Sequence, residues 1–169
     1  EALSKINYFI GRTSWDRAVS LTANPKSKYF FSQRNIREEF YQHQWSRSEV
    51  DPFTIFIPQA HAPFKGFHIV LHAAVILRKF ISNLKIHVAG RDMIRKDSLK
   101  QRLKYGGYQK YIDNLIKKNN LSDIVRFTGP LNASQMAECM SRSHVFVLPS
   151  FIENSPNSLG EAQLIGVPS

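Results

Sequence analysis

From residue 53 onward the chain alternates two hydrophobic patterns. Short apolar runs bounded by turn-forming residues are interleaved with longer segments in which apolar positions return every three or four residues. The short runs predict strands over 53–57, 84–89, 124–128 and 145–148. The longer segments predict helices over 67–80, 108–118, 133–141 and from about 158 to 165. Strands that alternate with helices pair in parallel through crossover connections, so the expected fold class is α/β, a doubly wound parallel sheet of Rossmann type. Asn132, with Gln135 three residues on, can cap the helix over 133–141. Gly106-Gly107 breaks the segment before the 108–118 helix, which leaves 93–104 as a separate short helix.

Residues 1 to about 50 have another texture, rich in aromatics and charges without regular alternation. Helical spacing over 14–22 and 33–42 predicts a helical amino-terminal extension. Ser14 is the candidate cap of its first helix, with Asp16 and Arg17 on the exposed face. Asn24-Pro25 ends that helix, because a residue before proline avoids helical dihedrals. The expected organisation is a helical connector over 1–50 and a ligand-binding Rossmann-like domain over 51–169.

A chain of 169 residues with 43% hydrophobic content can build one well-cored domain and is not a disordered tail. It contains no apolar stretch long enough to span a bilayer, and its first residues lack the features of a signal peptide, so it reads as soluble and cytoplasmic. Cys139 is the single cysteine and, beside Met136 and Met140, reads as a buried thiol. The net charge of +10 favours anionic partners. Cations between Arg91 and Lys118 are interleaved with Tyr105, Tyr108 and Tyr111, a mixture that single-stranded nucleic acid can use. Tyr108, Tyr111, Ile112 and Leu115 recur at helical spacing, however, which turns the tyrosines inward and leaves the lysines as a solvated face. Nucleic acid is therefore not the expected partner.

The chemistry concentrates between residues 149 and 162. The last apolar run ends in Pro149-Ser150, so Glu153 and Glu161, with seven residues between them, fall at the carboxyl edge of the sheet, where open α/β folds bind ligands. Glu153 is expected on the loop and Glu161 in the first turn of the next helix. Between them the backbone N–H groups around Ser158 and Leu159 are free at a helix N-terminus to receive an anion such as a diphosphate. One carboxylate for sugar hydroxyls, one for a ribose and phosphates between them suit a nucleotide-sugar. Glu161 has a structural alternative, a capping box with Ser158. His68 and His72 lie four apart on one helix face without an acidic or cysteine ligand at a recognised spacing, so neither a metal nor a cofactor is expected.

The segment from Pro149 through Glu153 and Asn154 to Glu161-Ala162 resembles the glutamate, seven residues, glutamate signature of the family 4 glycosyltransferases, which are retaining enzymes of the GT-B fold. Lys65-Gly66, after the first strand of the regular region and opening a helix, resembles the family's diphosphate-binding lysine. Val125 to Leu131 resembles the strand and glycine turn, with Gly129 and Leu131, whose backbone lines the nucleobase pocket. Gly11-Arg12-Thr13-Ser14-Trp15-Asp16 resembles a connector that precedes the donor-binding half in some relatives.

This resemblance implies that the chain is one half of a GT-B fold, the carboxyl-terminal, donor-binding half. Its role would be in moving a sugar from a nucleotide-sugar to an acceptor with retention of configuration, without a metal. Lys65 would meet the diphosphate, Glu161 both ribose hydroxyls, and Glu153 the transferred sugar as a catalytic residue in a loose sense. A sugar or lipid-linked acceptor would be met by an amino-terminal domain missing here, and a lipid-linked one would bring the longer protein to the inner face of the membrane. This chain alone is expected to be inactive. The family usually carries an arginine five residues before the lysine, and here that position is Ala60. This departure supports the alternative of a noncatalytic nucleotide-sugar-binding module; a basic nucleic-acid-binding domain and a nucleotide-sugar epimerase are further alternatives.

Overall fold

The computed structural model describes residues 2–95 and 106–169. They form two compact units: the described residues up to Ile36 together with Glu153–Asn157, and Arg37–Ile152 together with Ser158–Ser169.

The smaller unit holds β1 (Tyr8–Gly11), α1 (Ser14–Ala23) and β2 (Lys28–Phe31), with β1 and β2 paired in parallel. A parallel pair requires a crossover, and α1 supplies it. The expected helical extension therefore carries a strand on each side of its helix. Both strands are four residues long, and Tyr8, Ile10, Phe30 and Phe31 remain exposed, so no inward-outward alternation marked them in the sequence. The cap of α1 is Thr13 rather than Ser14: its hydroxyl accepts from the Asp16 N–H at 3.0 Å, and the Asp16 carboxylate accepts from the Thr13 N–H at 3.2 Å. Asp16 thus closes a capping box. Asn24, extended at φ −146° and ψ 91°, ends the helix before Pro25.

The helix expected over 33–42 is only a short 3-10 turn at Glu38–Gln42, which buries Phe40 completely. In the larger unit β3 (Asp51–Ile57), α2 (Phe67–Leu77), β4 (Lys85–Val88), α3 (Gly107–Lys118), β5 (Val125–Phe127), α4 (Ala133–Ser141), β6 (Ser143–Phe146) and α5 (Asn157–Ile165) follow one another. The sheet runs β5-β4-β3-β6, parallel throughout. The helix expected over 93–104 lies mostly outside the described residues.

β3 shows why the sheet is covered on both faces. Ile55 and Ile57 point into a core with Phe67, Val70, Leu71 and Ala74 of α2, at the spacing of one helix face, and with Ile112, Leu115 and Ile116 of α3. Phe56, between them, faces the other way and lies 6.4 Å from the Phe146 ring centroid. Asn132 and Gln135 close the predicted capping box of α4. β6 begins two residues earlier than its apolar run, because pairing starts with Ser143 opposite Asp51, and a register shift between Asp51 and Ile55 absorbs Phe53 at φ 59°. Tyr108 packs against the core as expected. Tyr111 does not: it is 44% exposed, and its hydroxyl lies 3.2 Å from His72 Nε2. Cys139 is half-buried, and burial pushes its thiol pKa up, which disfavours the reactive thiolate.

Candidate functional site

The strand order of the larger unit puts its topological switch point between β3 and β6. The chain winds from β3 outward through β4 to β5, then returns to the opposite side of β3 with β6, so the winding reverses between these two strands. Loops diverge at such a switch point and leave room beyond the carboxyl ends of the strands.

The two loops that leave this point are tied together. Phe151 donates its N–H to the Phe64 carbonyl at 2.9 Å. Gly66, the residue before α2, adopts φ 70°, and a Cβ there would stand 1.9 Å from the Pro149 carbonyl oxygen. Only glycine allows both the left-handed backbone and this approach. The sequence neighbour of that glycine is Lys65, the last residue of a 3-10 turn at Pro63–Lys65. Lys65 is 9% exposed, and its ammonium lies 5.3 Å from the Phe64 ring centroid, over the aromatic face. Lysine is seldom so deeply enclosed. Ser150, on the facing loop, holds a buried hydroxyl that has no hydrogen-bond partner among the described residues.

α5 begins at Asn157, so Ser158 and Leu159 lie in its first turn, where backbone N–H groups have no intrahelical acceptor. Glu161 is the fifth residue of α5, just past the first turn expected for it, and Ser158, being inside the helix, is not its N-cap. The Glu161 side chain is 4% exposed and takes a bidentate pair from Arg37, Nε to Oε1 at 2.8 Å and Nη2 to Oε2 at 3.0 Å. Arg37 in turn lies 4.7 Å from the Phe40 ring centroid. Arg37 was not singled out by the sequence, since no spacing rule links it to Glu161.

The turns after β4 and β5 complete this edge. Gly90 at φ 103° donates its N–H to the carbonyl of Gly129, itself at φ 81°, and Leu131 follows. The larger unit thus carries Lys65, Gly129, Leu131, Ser158, Leu159 and Glu161 at the carboxyl side of its sheet. Ala60 is 4% exposed and belongs to the core. His68 is surrounded by Tyr108, Tyr111 and Phe151, with ring centroids 5.8 to 6.1 Å away. Among the described residues no three His, Cys, Asp or Glu side chains gather as metal ligands.

Glu153 belongs to the smaller unit and is exposed. Its neighbour Asn154 is held there: the backbone carbonyl accepts from Arg12 Nη2 at 2.9 Å, Oδ1 accepts from the Thr13 hydroxyl at 2.8 Å, and Nδ2 donates to Asp16 Oδ1 at 2.5 Å. Hydrogen bonding from the Arg12 N–H, with further donors from Asn154 and Thr13, holds the Asp16 carboxyl below its ordinary pKa against the opposing effect of desolvation.

Residues 38–169 match the family model described as glycosyl transferases group 1. The chain belongs to this glycosyltransferase family. Three solved structures show the same architecture. A sucrose-phosphate synthase from Thermosynechococcus elongatus superposes with a TM-score of 0.73 at 19% identity, over 98% of this chain and 40% of that one. A point mutant of TarM from S. aureus, in complex with Fondaparinux, alpha-GlcNAc-glycerol and UDP, gives 0.70 at 19% identity, over 98% of this chain and 29% of that one. The pneumococcal O-GlcNAc transferase GtfA, in complex with UDP and GlcNAc, gives 0.69 at 18% identity, over 97% and 29%. No curated protein matches the chain. The family and these neighbours establish an α/β parallel sheet of the GT-B glycosyltransferase type. The chain spans 40% or less of the structures named here. Among the described residues no helix is long and apolar enough to cross a membrane.

Proposed function

We propose that this chain is the donor-binding part of a retaining glycosyltransferase that takes a nucleotide-sugar. The observation that carries this reading is the pair of enclosed charges on the larger unit, the Lys65 ammonium after β3 and the Glu161 carboxylate on α5. Enclosed charges are rare among lysines and glutamates, and a nucleoside diphosphate carries a group for each: phosphates for the ammonium, and ribose hydroxyls for the carboxylate lone pairs that Arg37 leaves open. Lys65 and the amides of Ser158 and Leu159 would meet the diphosphate, most strongly as it departs with growing negative charge. Glu161 would accept from the ribose hydroxyls, and the turns at Gly129 and Leu131 would line the base. Glu153 would contact the transferred sugar. The acceptor, a sugar or a lipid-linked sugar, would be met by a further domain of a longer protein; a lipid-linked acceptor would make that protein work at a membrane surface, in the cytoplasm.

Ala60 favours one other reading, a noncatalytic module that binds nucleotide-sugars. The resembled family places an arginine there, and a buried alanine supplies no charge to a diphosphate. Calorimetry with a panel of nucleoside diphosphates and nucleotide-sugars, followed by hydrogen exchange on the best ligand, tests both. Protection of the turn at Lys65 and of α5 is the expected result. Binding of oligonucleotides with a steep salt dependence, and no diphosphate signal, would reverse the reading. Sugar transfer by the longer protein separates enzyme from module.

A further inference from the structure

The segment Glu153–Asn157 belongs to the smaller unit, and the reason is a cluster of three side chains at the start of α1. Asn154 is fixed at its carbonyl by Arg12, at Oδ1 by Thr13 and at Nδ2 by Asp16. Arg12 reaches further, donating from Nη1 to Asn157 Oδ1 at 2.9 Å. The segment so gripped contains Ser155 at φ 55°, a backbone conformation that serine rarely adopts and that persists only where its surroundings impose it.

The three gripping residues are themselves fixed. Asp16 divides its carboxylate: Oδ2 accepts from the N–H groups of Arg12 and Thr13 at 2.8 and 3.2 Å and closes the helix cap, while Oδ1 receives Asn154. The cap of α1 thereby becomes a rigid platform with donors and an acceptor turned toward the loop. We infer that Arg12, Thr13 and Asp16 are positioning residues for the Glu153–Asn157 loop, and that through this loop they set the grip on the transferred sugar. The first half stands on the hydrogen bonds; the second rests on the sugar-contacting role proposed for Glu153.

A reciprocal exchange tests it. Asn154→Asp sets a carboxylate against the Asp16 carboxylate and replaces an attraction by a repulsion. Combined with Asp16→Asn, the donor and acceptor simply change places: the amide introduced at 16 can donate across the contact with its nitrogen and still accept from Arg12 and Thr13 with its oxygen. In the 169-residue chain without ligand, amide exchange over 153–157 should quicken by about tenfold or more in Asn154→Asp, as local opening becomes cheaper. It should return to the wild-type rate in the double variant. Asn154→Asp should also weaken UDP-N-acetylglucosamine about tenfold while leaving UDP affinity within about twofold, and the double variant should recover both. A loss that struck UDP and its sugar derivative alike, or exchange over 153–157 that did not respond to Asn154→Asp, would overturn the positioning role. Because the exchange measurement needs no ligand, it decides the positioning of the loop by itself; failure of the wild-type chain to bind either UDP compound overturns the sugar half as stated for a UDP-sugar, while the proposed function is decided by the wider panel of nucleoside diphosphates and nucleotide-sugars.

Discussion

Arg37 holds both oxygens of Glu161, Nε on Oε1 at 2.8 Å and Nη2 on Oε2 at 3.0 Å, although the two residues are 124 positions apart. The carboxylate is enclosed, while Arg37 keeps 45% of its side chain in solvent. A side-on guanidinium uses one lone pair on each oxygen, which leaves each oxygen able to accept once more. Two ribose hydroxyls ask for that arrangement. Arg37 therefore neutralises Glu161 without consuming it and fixes the plane of its carboxylate.

Removing either partner has distinct consequences. Arg37→Ala leaves an enclosed carboxylate without its counter-charge and should cost about 1 to 3 kcal/mol of stability, the exposure of the arginine keeping the loss toward the lower end. Glu161→Gln keeps the shape, loses the charge-assisted pair, and should weaken any nucleotide carrying a ribose diol by roughly 1 to 3 kcal/mol, with or without a sugar. Thermal melts and calorimetry on the two variants check this. If Glu161→Gln lowers the melting temperature and leaves nucleotide affinity unchanged, the pair is purely structural.

Gly66→Ala should damage both the fold and the turn that carries Lys65. A Cβ at this position overlaps the Pro149 carbonyl at 1.9 Å, and φ 70° is unfavourable for alanine even in open space. Backbone on both loops must move, so a destabilisation of at least about 1 to 3 kcal/mol is expected, together with a displaced Lys65 and weaker diphosphate binding. A variant that melts and binds like the wild type would show that the approach of the two loops is not a constraint.

The strands and helices of the larger unit were legible because burial gave them a period. Phe67, Val70, Leu71 and Ala74 mark a helix face, and the apolar runs of β3 and β4 mark strands enclosed on both sides. The smaller unit escaped the same reasoning: β1 and β2 expose most of their side chains, and a strand without a buried face leaves no alternation to read. Within the candidate site, Glu161 stood out by local context, a helix start after an apolar run, and Lys65-Gly66 by its resemblance to the family's lysine in the turn after a strand. Arg37 and the Arg12–Asn154 contact are long-range pairings, and no local pattern encodes which distant residue a side chain will meet.

Acidification should destabilise the larger unit through His87. Burial within β4 lowers its pKa below 6.5, the positive charges of Arg126 and Lys85 lower it further, and only Asp51 opposes them. The unfolded chain then binds this proton more readily than the folded one. The contribution is complete above about pH 6.5 and is lost as the pH falls toward the depressed folded value. His87→Gln should flatten that part of the curve of melting temperature against pH. A curve unchanged between about pH 7 and 5 on substitution would remove His87 as its source.

Lys65 and Glu153 should separate by the step they affect, in the longer protein with an identified donor. Lys65→Ala removes a cation that meets more negative charge as the diphosphate departs than it meets in the bound donor, so kcat should fall along with affinity. Glu153 is exposed and lies in a different unit, and the partner proposed for it is the sugar rather than the phosphates. Glu153→Gln should thus leave free nucleoside diphosphate binding nearly unchanged and still lower turnover. Steady-state kinetics paired with calorimetry on the free diphosphate distinguish the two. Should Glu153→Gln weaken the free diphosphate as much as Lys65→Ala does, the assignment of the sugar to Glu153 fails, and both charges belong to one phosphate site.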